Sequence, residues 1–467
     1  MKSAWLWTIL GSALLAAPAR ADLAAELRAR LEQSAKTRWT ALVLDGGEPV
    51  FALDADEARV PASNMKLVTT AAALSLLGPD YAHETRLVTV GRPQAGVLRG
   101  ALYVVGGGDP TISRRFDPEP LLSDWAEKVA RSGIKRIVGD LVADDRFFEA
   151  LTVHPDWERP DLEKWYGAPI CGLSLNDNCA DVSVGGSAGG VVVVVRPSSD
   201  YLQVEQQARL IGDKKQHRFG VVRAGKERRT LQITGKVWSG ARPYEASIPV
   251  EDPALFFLHV LKARLAEAGV EVTGECRRLQ PGEEPGGLTL YRRQAPLPRT
   301  LQVTNQRSQN FYAECLLKTI GREKGERGTW LAGAKRVKDF AASAGADPAQ
   351  VTVADGSGLS RENRLSARAL TAVLSHMQRG AHAEIYRGSL ASPGEEGTLK
   401  RRLRGLPPTA EVRGKTGTLT GVSALSGYLK VGDRELVFAL IGNGGSTGTI
   451  RNAMDAVVER LAKHYAR

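Results

Sequence analysis

The sequence predicts an α+β protein in which both ends of the chain build one five-stranded antiparallel sheet with helices on its faces, while the middle forms β-rich insert domains. Near the C-terminus, three strands follow one another with short turns, at Val412–Thr420, Ser426–Val431 and Glu435–Ile441. Successive strands joined by short turns are typical of an antiparallel meander. Near the N-terminus, Trp39–Leu44 and Pro49–Leu53 are separated by Gly46-Gly47 and predict a hairpin that completes the same sheet.

The remaining elements follow from periodicity and from Gly and Pro positions. Short Val-rich strands, broken by Gly and Pro, fill residues 84–290, whereas helical patterns lie on both sides of that stretch. The predicted helices are Leu23–Gln33, Met65–Leu77, Ser308–Ile320, Thr329–Ala344, Ser366–Met377 and Ile450–His464, and examples of the inserted strands are Leu102–Val105, Ile137–Val142, Val191–Val195 and Leu231–Val237. We therefore expect one domain made of residues 22–83 and 291–467. The insert 84–290 is expected to contain two nested domains, about 84–183 with 251–290, and about 184–250.

Composition restricts the class of protein. The 467 residues are 43% hydrophobic and 25% charged, which is typical of a globular chain and excludes intrinsic disorder and collagen-like repeats. Lys and Arg outnumber Asp and Glu by 63 to 52, a net charge of +11. This excess favours anionic partners, such as nucleic acid or an anionic envelope polymer.

The first residues predict export. Lys2 precedes the apolar run Trp5–Ala17, and Ala19-Arg20-Ala21 has the small-x-small pattern of a cleavage site, so residues 1–21 are interpreted as a signal peptide. The apolar run is too short to span a bilayer, and no later segment approaches spanning length. We expect a periplasmic protein without a transmembrane segment in its mature form. Nucleic acid is then not expected as a partner, and peripheral membrane contact stays open.

Cysteine and histidine usage points to disulfides rather than to metal. Cys171 and Cys179 flank an Asn-Asp-Asn turn, so a local disulfide is expected, while Cys276 and Cys315 either pair or are small buried residues. The chain contains neither C-x-x-C nor H-E-x-x-H. We therefore predict no metal site and no cofactor.

Three short motifs occur in order: Ser63-Asn64-Met65-Lys66, Ser308-Gln309-Asn310 and Lys415-Thr416-Gly417. The ordered set S-x-x-K, S-x-N and K-T-G is typical of penicillin-binding proteins and serine β-lactamases. Ser132-Gly133-Ile134-Lys135 and Ser174-Leu175-Asn176 match the first two patterns as well. Only the first set has matching contexts, because Ser63 and Lys66 share a face at the start of an apolar helix and Ser308 opens another.

These residue types suit nucleophilic catalysis. A serine hydroxyl needs a base within hydrogen-bond reach, and a buried lysine beside a second cation is a base because its amine is kept neutral. Lys415 is the expected second cation. Ser308 is expected to relay a proton, and Asn310 is expected to bind a substrate amide. The backbone N–H groups of Ser63 and Thr418 are the expected oxyanion hole. A terminal substrate carboxylate would suit Lys415, Thr416 and Thr418.

On these motifs the sequence resembles the low-molecular-mass class C penicillin-binding proteins, which are D-alanyl-D-alanine carboxypeptidases and endopeptidases of serine peptidase family S13. Two further segments carry the resemblance: Tyr103–Thr111 (YVVGGGDPT) in the insert and Asp355–Arg361 (DGSGLSR). The first two motif serines are 308 − 63 = 245 residues apart, which leaves room for that family's inserts. The E-x-x-L-N motif of class A β-lactamases is absent. Only 467 − 417 = 50 residues follow Gly417, too few for the C-terminal domain of the other common carboxypeptidase class.

The resemblance implies a serine β-lactamase/transpeptidase-like fold and a role for each motif residue. Ser63 would be the acyl-ester nucleophile and Lys66 the proton acceptor. Ser308 and Asn310 would complete the proton path and the substrate grip, and Lys415-Thr416-Gly417 would bind substrate. Asp144, with Asp145 as the adjacent alternative, and Arg361 match residues that recognise the free end of a diaminopimelate side chain.

The expected function is therefore that of a DD-peptidase, with peptidoglycan stem peptides as substrates and β-lactam antibiotics as inhibitors. Two alternatives stay open. One is a catalytically idle peptidoglycan-binding protein, against which the intact catalytic set argues. The other is a β-lactamase or esterase on the same scaffold, for which the sequence offers no evident water-activating base.

Overall fold

A computed structural model of the chain describes residues 22–225, 227–325 and 327–466. The predicted signal peptide, residues 1–21, lies outside the described residues. The described residues divide into two compact units, one made of residues 22–79, 298–325 and 330–466, and the other made of residues 80–297 and 327–329. Among the described residues, no helix is long and apolar enough to cross a membrane.

The helices in chain order are α1 (22–31), α2 (Met65–Leu77), α3 (Ser123–Arg131), α4 (Pro253–Glu267), α5 (Leu297–Gln306), α6 (Asn310–Lys324), α7 (Trp330–Ser343), α8 (Ala367–Arg379), α9 (Ala383–Gly388) and α10 (Thr447–Tyr465). The strands are β1 (Arg38–Asp45), β2 (Glu48–Leu53), β3 (Ala82–Thr89), β4 (Val97–Arg99), β5 (Leu102–Val105), β6 (Arg136–Val138), β7 (Leu141–Asp144), β8 (Cys179–Ser187), β9 (Gly190–Arg196), β10 (Gln203–Gln206), β11 (Arg209–Ile211), β12 (Arg218–Ala224), β13 (Thr230–Trp238), β14 (Tyr244–Pro249), β15 (Glu271–Val272), β16 (Cys276–Arg278), β17 (Leu288–Pro296), β18 (Val351–Thr352), β19 (Arg364–Leu365), β20 (Ala410–Leu419), β21 (Val422–Val431) and β22 (Arg434–Asn443).

The first unit is built on one five-stranded sheet in the order β2-β1-β22-β21-β20, antiparallel throughout. The strands from both ends of the chain meet where β1 pairs with β22, which confirms the predicted sheet. Residues of α1 and α10, such as Leu27 and Leu461, share an apolar core with Phe438 of this sheet. Helix α8 lies against β1 and β22. Strand β20 ends the sheet and has only one strand neighbour in the described residues.

Helix α2 has the predicted bounds because a proline precedes it and a glycine ends it. Pro61 precedes the short 3-10 turn Ala62–Asn64 that leads into it, and Gly78 ends it with a φ of 87°. All residues from Met65 to Leu74 are buried. Burial on every side accounts for the mostly apolar sequence of this helix, which shows little amphipathic pattern. The side chain of Lys66 is therefore held inside the protein.

The second unit contains more helix than expected. A mixed sheet, in the order β16-β7-β5-β3-β17, shares a core with α3 and α4, and both helices lie in the stretch that is predicted to be β-rich. The predicted strand Ile137–Val142 is wrong, since it splits into β6 and β7. At the break, a side chain on Gly139 would place Cβ 2.4 Å from the carbonyl oxygen of Gly100. Such close backbone contact cannot be inferred from strand periodicity.

A separate apolar cluster in the second unit includes Val182, Leu231 and Ile233. These residues lie on β8 and β13. The nested domain predicted near 184–250 overlaps this cluster and stays a prediction.

The expected local disulfide is not formed. Cys171 and Cys179 carry free thiols, and the thiol of Cys171 lies 3.3 Å from Oδ2 of Asp145. Cys276 is a free thiol too, and Cys315 is buried in α6. Burial raises the pKa values of the Cys171 and Cys179 thiols, so both are poor nucleophiles.

Candidate active site

Ser63 lies in the 3-10 turn that opens α2, and the turn is fixed on two sides. The amide of Asn64 donates to Oγ of Ser426 on β21 at 2.7 Å. On the other side, Gly358 has a φ of 81°, and a Cβ there would lie 1.8 Å from the carbonyl oxygen of Ala62. Only glycine allows this approach, because both the space and the left-handed backbone exclude a side chain. Ser63 is thus held in a rigid turn.

Lys66 makes three contacts with its amine. Nζ lies 3.0 Å from Oγ of Ser63, 2.7 Å from Oδ1 of Asn310 and 2.7 Å from the carbonyl oxygen of Ser357. The amide oxygen and the carbonyl can only accept hydrogen bonds, whereas the Ser63 hydroxyl can accept or donate. A neutral amine donates one hydrogen to Oδ1 of Asn310 and the other to the carbonyl oxygen of Ser357, and it directs its lone pair at Ser63. The geometry therefore suits Lys66 as the base for Ser63.

Burial favours the neutral amine. Lys66 is 0% exposed, and desolvation lowers its pKa to about 7, against the opposing charges of Glu314 and Asp355. A cation removed from water loses hydration energy that nearby anions restore only in part. Near neutral pH, a large fraction of Lys66 is thus available to take the Ser63 proton.

The second and third motifs meet in one hydrogen bond. Nζ of Lys415 donates to Oγ of Ser308 at 2.7 Å and to its neighbour's carbonyl, Thr416 O, at 2.7 Å. Burial, with a smaller contribution from the Lys66 charge, holds the pKa of Lys415 well below its usual range. Ser308 does not open the helix as expected. It precedes α6 with a φ of 57°, and Asn310 is the first helical residue.

Strand β20 carries the K-T-G motif along the edge of the sheet beside Ser63. A Cβ on Gly417 would lie 2.9 Å from the carbonyl oxygen of Pro61 and 3.1 Å from the backbone nitrogen of Ser63. Thr416 is buried, and Thr418 is exposed. The missing side chain of Gly417 therefore lets the strand pass close to the turn that holds Ser63.

The predicted side-chain recognition residues belong to different units. Asp144 is buried in the second unit, where Arg146 binds both of its oxygens at 2.8 and 3.0 Å. The adjacent Asp145 pairs with Arg278. In the first unit, Nη2 of Arg361 donates to the carbonyl oxygen of Thr420, 3.1 Å away, just beyond β20. Their assignment to substrate recognition stays a prediction.

Ser357 is a contact of Lys66 that the sequence motifs do not predict. Its carbonyl binds Lys66, while its own N–H donates to a carboxylate oxygen of Glu314 at 2.7 Å. Ser357 lies inside the Asp355–Arg361 segment, so that motif marks its neighbourhood. A main-chain carbonyl has no sequence signature, which explains the omission.

No group of three or more His, Cys, Asp or Glu residues suited to a metal ion occurs in the part of the chain that the structure describes. The reactive groups are two serines, two buried lysines and an asparagine. This set supports acyl transfer through a serine.

Comparison with known proteins supports the same chemistry. Residues 22–464 match the family described as the D-Ala-D-Ala carboxypeptidase 3 (S13) family. The D-alanyl-D-alanine carboxypeptidase of Actinomadura sp. (strain R39) is 33% identical over 90% of this chain and 79% of its own. The D-alanyl-D-alanine carboxypeptidase DacB of Haemophilus influenzae is 26% identical over 95% and 94%.

Solved structures share the fold. Penicillin binding protein 4 from Haemophilus influenzae superposes with a TM-score of 0.80 at 24% identity, covering 95% of this chain and 99% of that one. A second structure of the same protein, in complex with a β-lactam, has a TM-score of 0.76 with the same coverage. The predicted transpeptidase-like fold is thereby confirmed.

Proposed function

Because the chain belongs to the D-Ala-D-Ala carboxypeptidase 3 (S13) family and is a serine peptidase of that class, we propose that it acts on peptidoglycan through an acyl-enzyme on Ser63. It removes the terminal D-Ala from D-Ala-D-Ala stem peptides and cleaves D-Ala-diaminopimelate crosslinks. The observation that carries this proposal is the arrangement around Lys66, whose two acceptor-only partners leave its lone pair for Ser63.

The acylation step follows from these contacts. Lys66 takes the proton from Oγ of Ser63 as the oxygen attacks the carbonyl carbon of the penultimate D-Ala. The negative charge that develops on the carbonyl oxygen is stabilised by the backbone N–H groups of Ser63 and Thr418. The C–N bond then breaks, and we propose that Ser308, which accepts a hydrogen bond from Lys415, passes the proton taken up by Lys66 on to the leaving amine. The ester on Ser63 is hydrolysed by water in the second step, which releases the acid and restores the hydroxyl.

Lys415 and the threonines of β20 are proposed to hold the substrate's terminal carboxylate. Lys415 is completely buried and already bonded to Ser308. A carboxylate arriving beside it favours its charged form. Binding would therefore hold Lys415 in its charged form beside Ser308.

β-Lactams are proposed to inhibit the enzyme because they offer the same carbonyl and carboxylate to the same serine. Support comes from the related Haemophilus protein, which has been crystallised with a β-lactam. The periplasm is the proposed location. It is where the substrate lies, and the first 21 residues have the pattern of an export signal.

The first test is intact-mass spectrometry after brief incubation with benzylpenicillin, with Ser63→Ala as the control. A stable single adduct that is absent from the control would support the proposal. No adduct with the antibiotic unconsumed would favour an idle binding protein. Rapid consumption without a lasting adduct would favour a β-lactamase.

A further inference from the structure

Glu314 is a buried carboxylate in the apolar helix α6, one turn after Asn310. It is 0% exposed, and each of its oxygens is occupied. Oε1 accepts from the N–H of Ser357 at 2.7 Å, and Oε2 accepts from the N–H of Gly356 at 2.9 Å and from the indole of Trp330 at 2.9 Å. All three partners are N–H groups, which can only donate, so the ionised carboxylate satisfies them best.

These bonds hold the loop that serves the base. The carbonyl of Ser357 accepts a hydrogen bond from Lys66, and its N–H donates one to Glu314. A single residue therefore connects the carboxylate to the amine. The next peptide is fixed from the opposite direction, because Asp355 accepts from the N–H of Gly358 at 2.7 Å. The Ser357 carbonyl and the Gly358 N–H lie in one planar peptide unit. The carbonyl is therefore fixed in position and direction.

From this chain of contacts we infer that Glu314 is a positioning residue for the acylation step. Its carboxylate fixes the backbone of residues 356–357. The Ser357 carbonyl can then accept one hydrogen bond from Lys66, and the lone pair of the amine stays directed at Oγ of Ser63. The inference rests on the proposed function, since it gives Glu314 a role only if Lys66 is the base.

The pKa of Lys66 provides a readout that would not change if the role of Glu314 were purely structural. The negative charges of Glu314 and Asp355 raise the pKa of Lys66 against the larger effect of burial. Burial and the Asp355 charge in turn raise the pKa of Glu314, opposed by its three hydrogen bonds. Further charged groups in this region include Lys415 on β20 and Lys318 on α6, whose Nζ lies 3.4 Å from the centre of the Trp330 ring.

The test is the pH dependence of the acylation rate with benzylpenicillin in the full chain. Glu314→Gln removes the charge and turns an amide toward N–H donors. The acid limb of the profile is expected to move to lower pH, because the three N–H donors hold Glu314 as an anion and the substitution removes that charge from beside Lys66. The plateau is expected to fall by about a hundredfold, because the base is displaced.

Glu314→Asp separates the two effects and serves if the glutamine variant does not fold. It keeps the charge but is one methylene shorter, so the limb stays at its wild-type pH while the plateau falls. Glu323→Gln, which removes an exposed carboxylate from the same helix, is the matched control and leaves both features unchanged.

The two proposals fail in different ways. A wild-type protein that forms no adduct contradicts the proposed function. A wild-type adduct together with an unmoved limb in Glu314→Gln, or an unchanged plateau in Glu314→Asp, overturns the inference about Glu314 and leaves the acyl-enzyme intact.

Discussion

At the scale of single residues, the site depends on one amine being neutral. Lys66 has a pKa of about 7, and its protonated form cannot accept the proton of Ser63. The pKa lies below that of an exposed lysine, so the active, neutral form accumulates as the pH rises through 7. We expect the acylation rate by benzylpenicillin to increase about tenfold for each pH unit below about pH 6, to rise more slowly through pH 7, and then to level off.

The matched variant is Lys66→Ala. It removes the base, so acylation is abolished at every pH, while Ser63 keeps its place in the turn. A rate that is independent of pH in the wild type, or normal labelling of Lys66→Ala, would contradict the assignment of the base. Circular dichroism checks that the variant is folded.

At the scale of elements, two glycines in left-handed conformations allow the effect of backbone strain to be distinguished from the effect of close packing. Gly358 has a φ of 81° and faces the carbonyl of Ala62, whereas Gly421 in the β20–β21 turn has a φ of 74° and open space, with nothing within 4 Å of where a Cβ would lie. Gly421→Ala is expected to lower the free energy of unfolding by about 1 kcal/mol through strain alone and to leave acylation unchanged. Gly358→Ala must also move the turn that holds Ser63, because its Cβ would lie 1.8 Å from the carbonyl oxygen of Ala62.

We therefore expect Gly358→Ala to slow acylation by about a hundredfold, as displaced reacting groups do. Thermal denaturation and the acylation rate, measured on both variants, check this difference. Equal acylation rates in the two alanine variants would show that the close approach of Gly358 does not hold Ser63 in place.

The elements also indicate what could be predicted from sequence. Helix α2 was predicted with its observed bounds because Pro61 and Gly78 mark both ends. The motif serines and lysines were located because their side chains carry the chemistry. The Ser357 carbonyl and the Gly139 break were missed because backbone contacts leave no periodic signal. Helix α4 was missed because it lies among many short strands, and the whole stretch was therefore interpreted as β-rich. The spacing of Cys171 and Cys179 could not show whether their sulfur atoms are placed to form a disulfide.

At the scale of the whole molecule, the charge excess and the catalytic charges respond differently to salt. The chain carries a net charge of +11. Attraction between exposed cations and an anionic wall polymer is screened over a Debye length of about 10 Å at 0.1 M salt and about 3 Å at 1 M. Lys66 and Lys415 are 0% exposed, so their mutual effect is screened far less.

We therefore expect raising the salt from 0.05 to about 0.5 M to release the protein from isolated peptidoglycan sacculi while barely changing its acylation by benzylpenicillin. Co-sedimentation and intact-mass spectrometry on the same samples measure the two effects. Ser63→Ala is the control, because it should bind and be released like the wild type without being acylated. Binding that persists at high salt would mean that contacts other than the basic charge hold the wall. A parallel loss of acylation would mean that the catalytic lysines are not shielded from solvent ions.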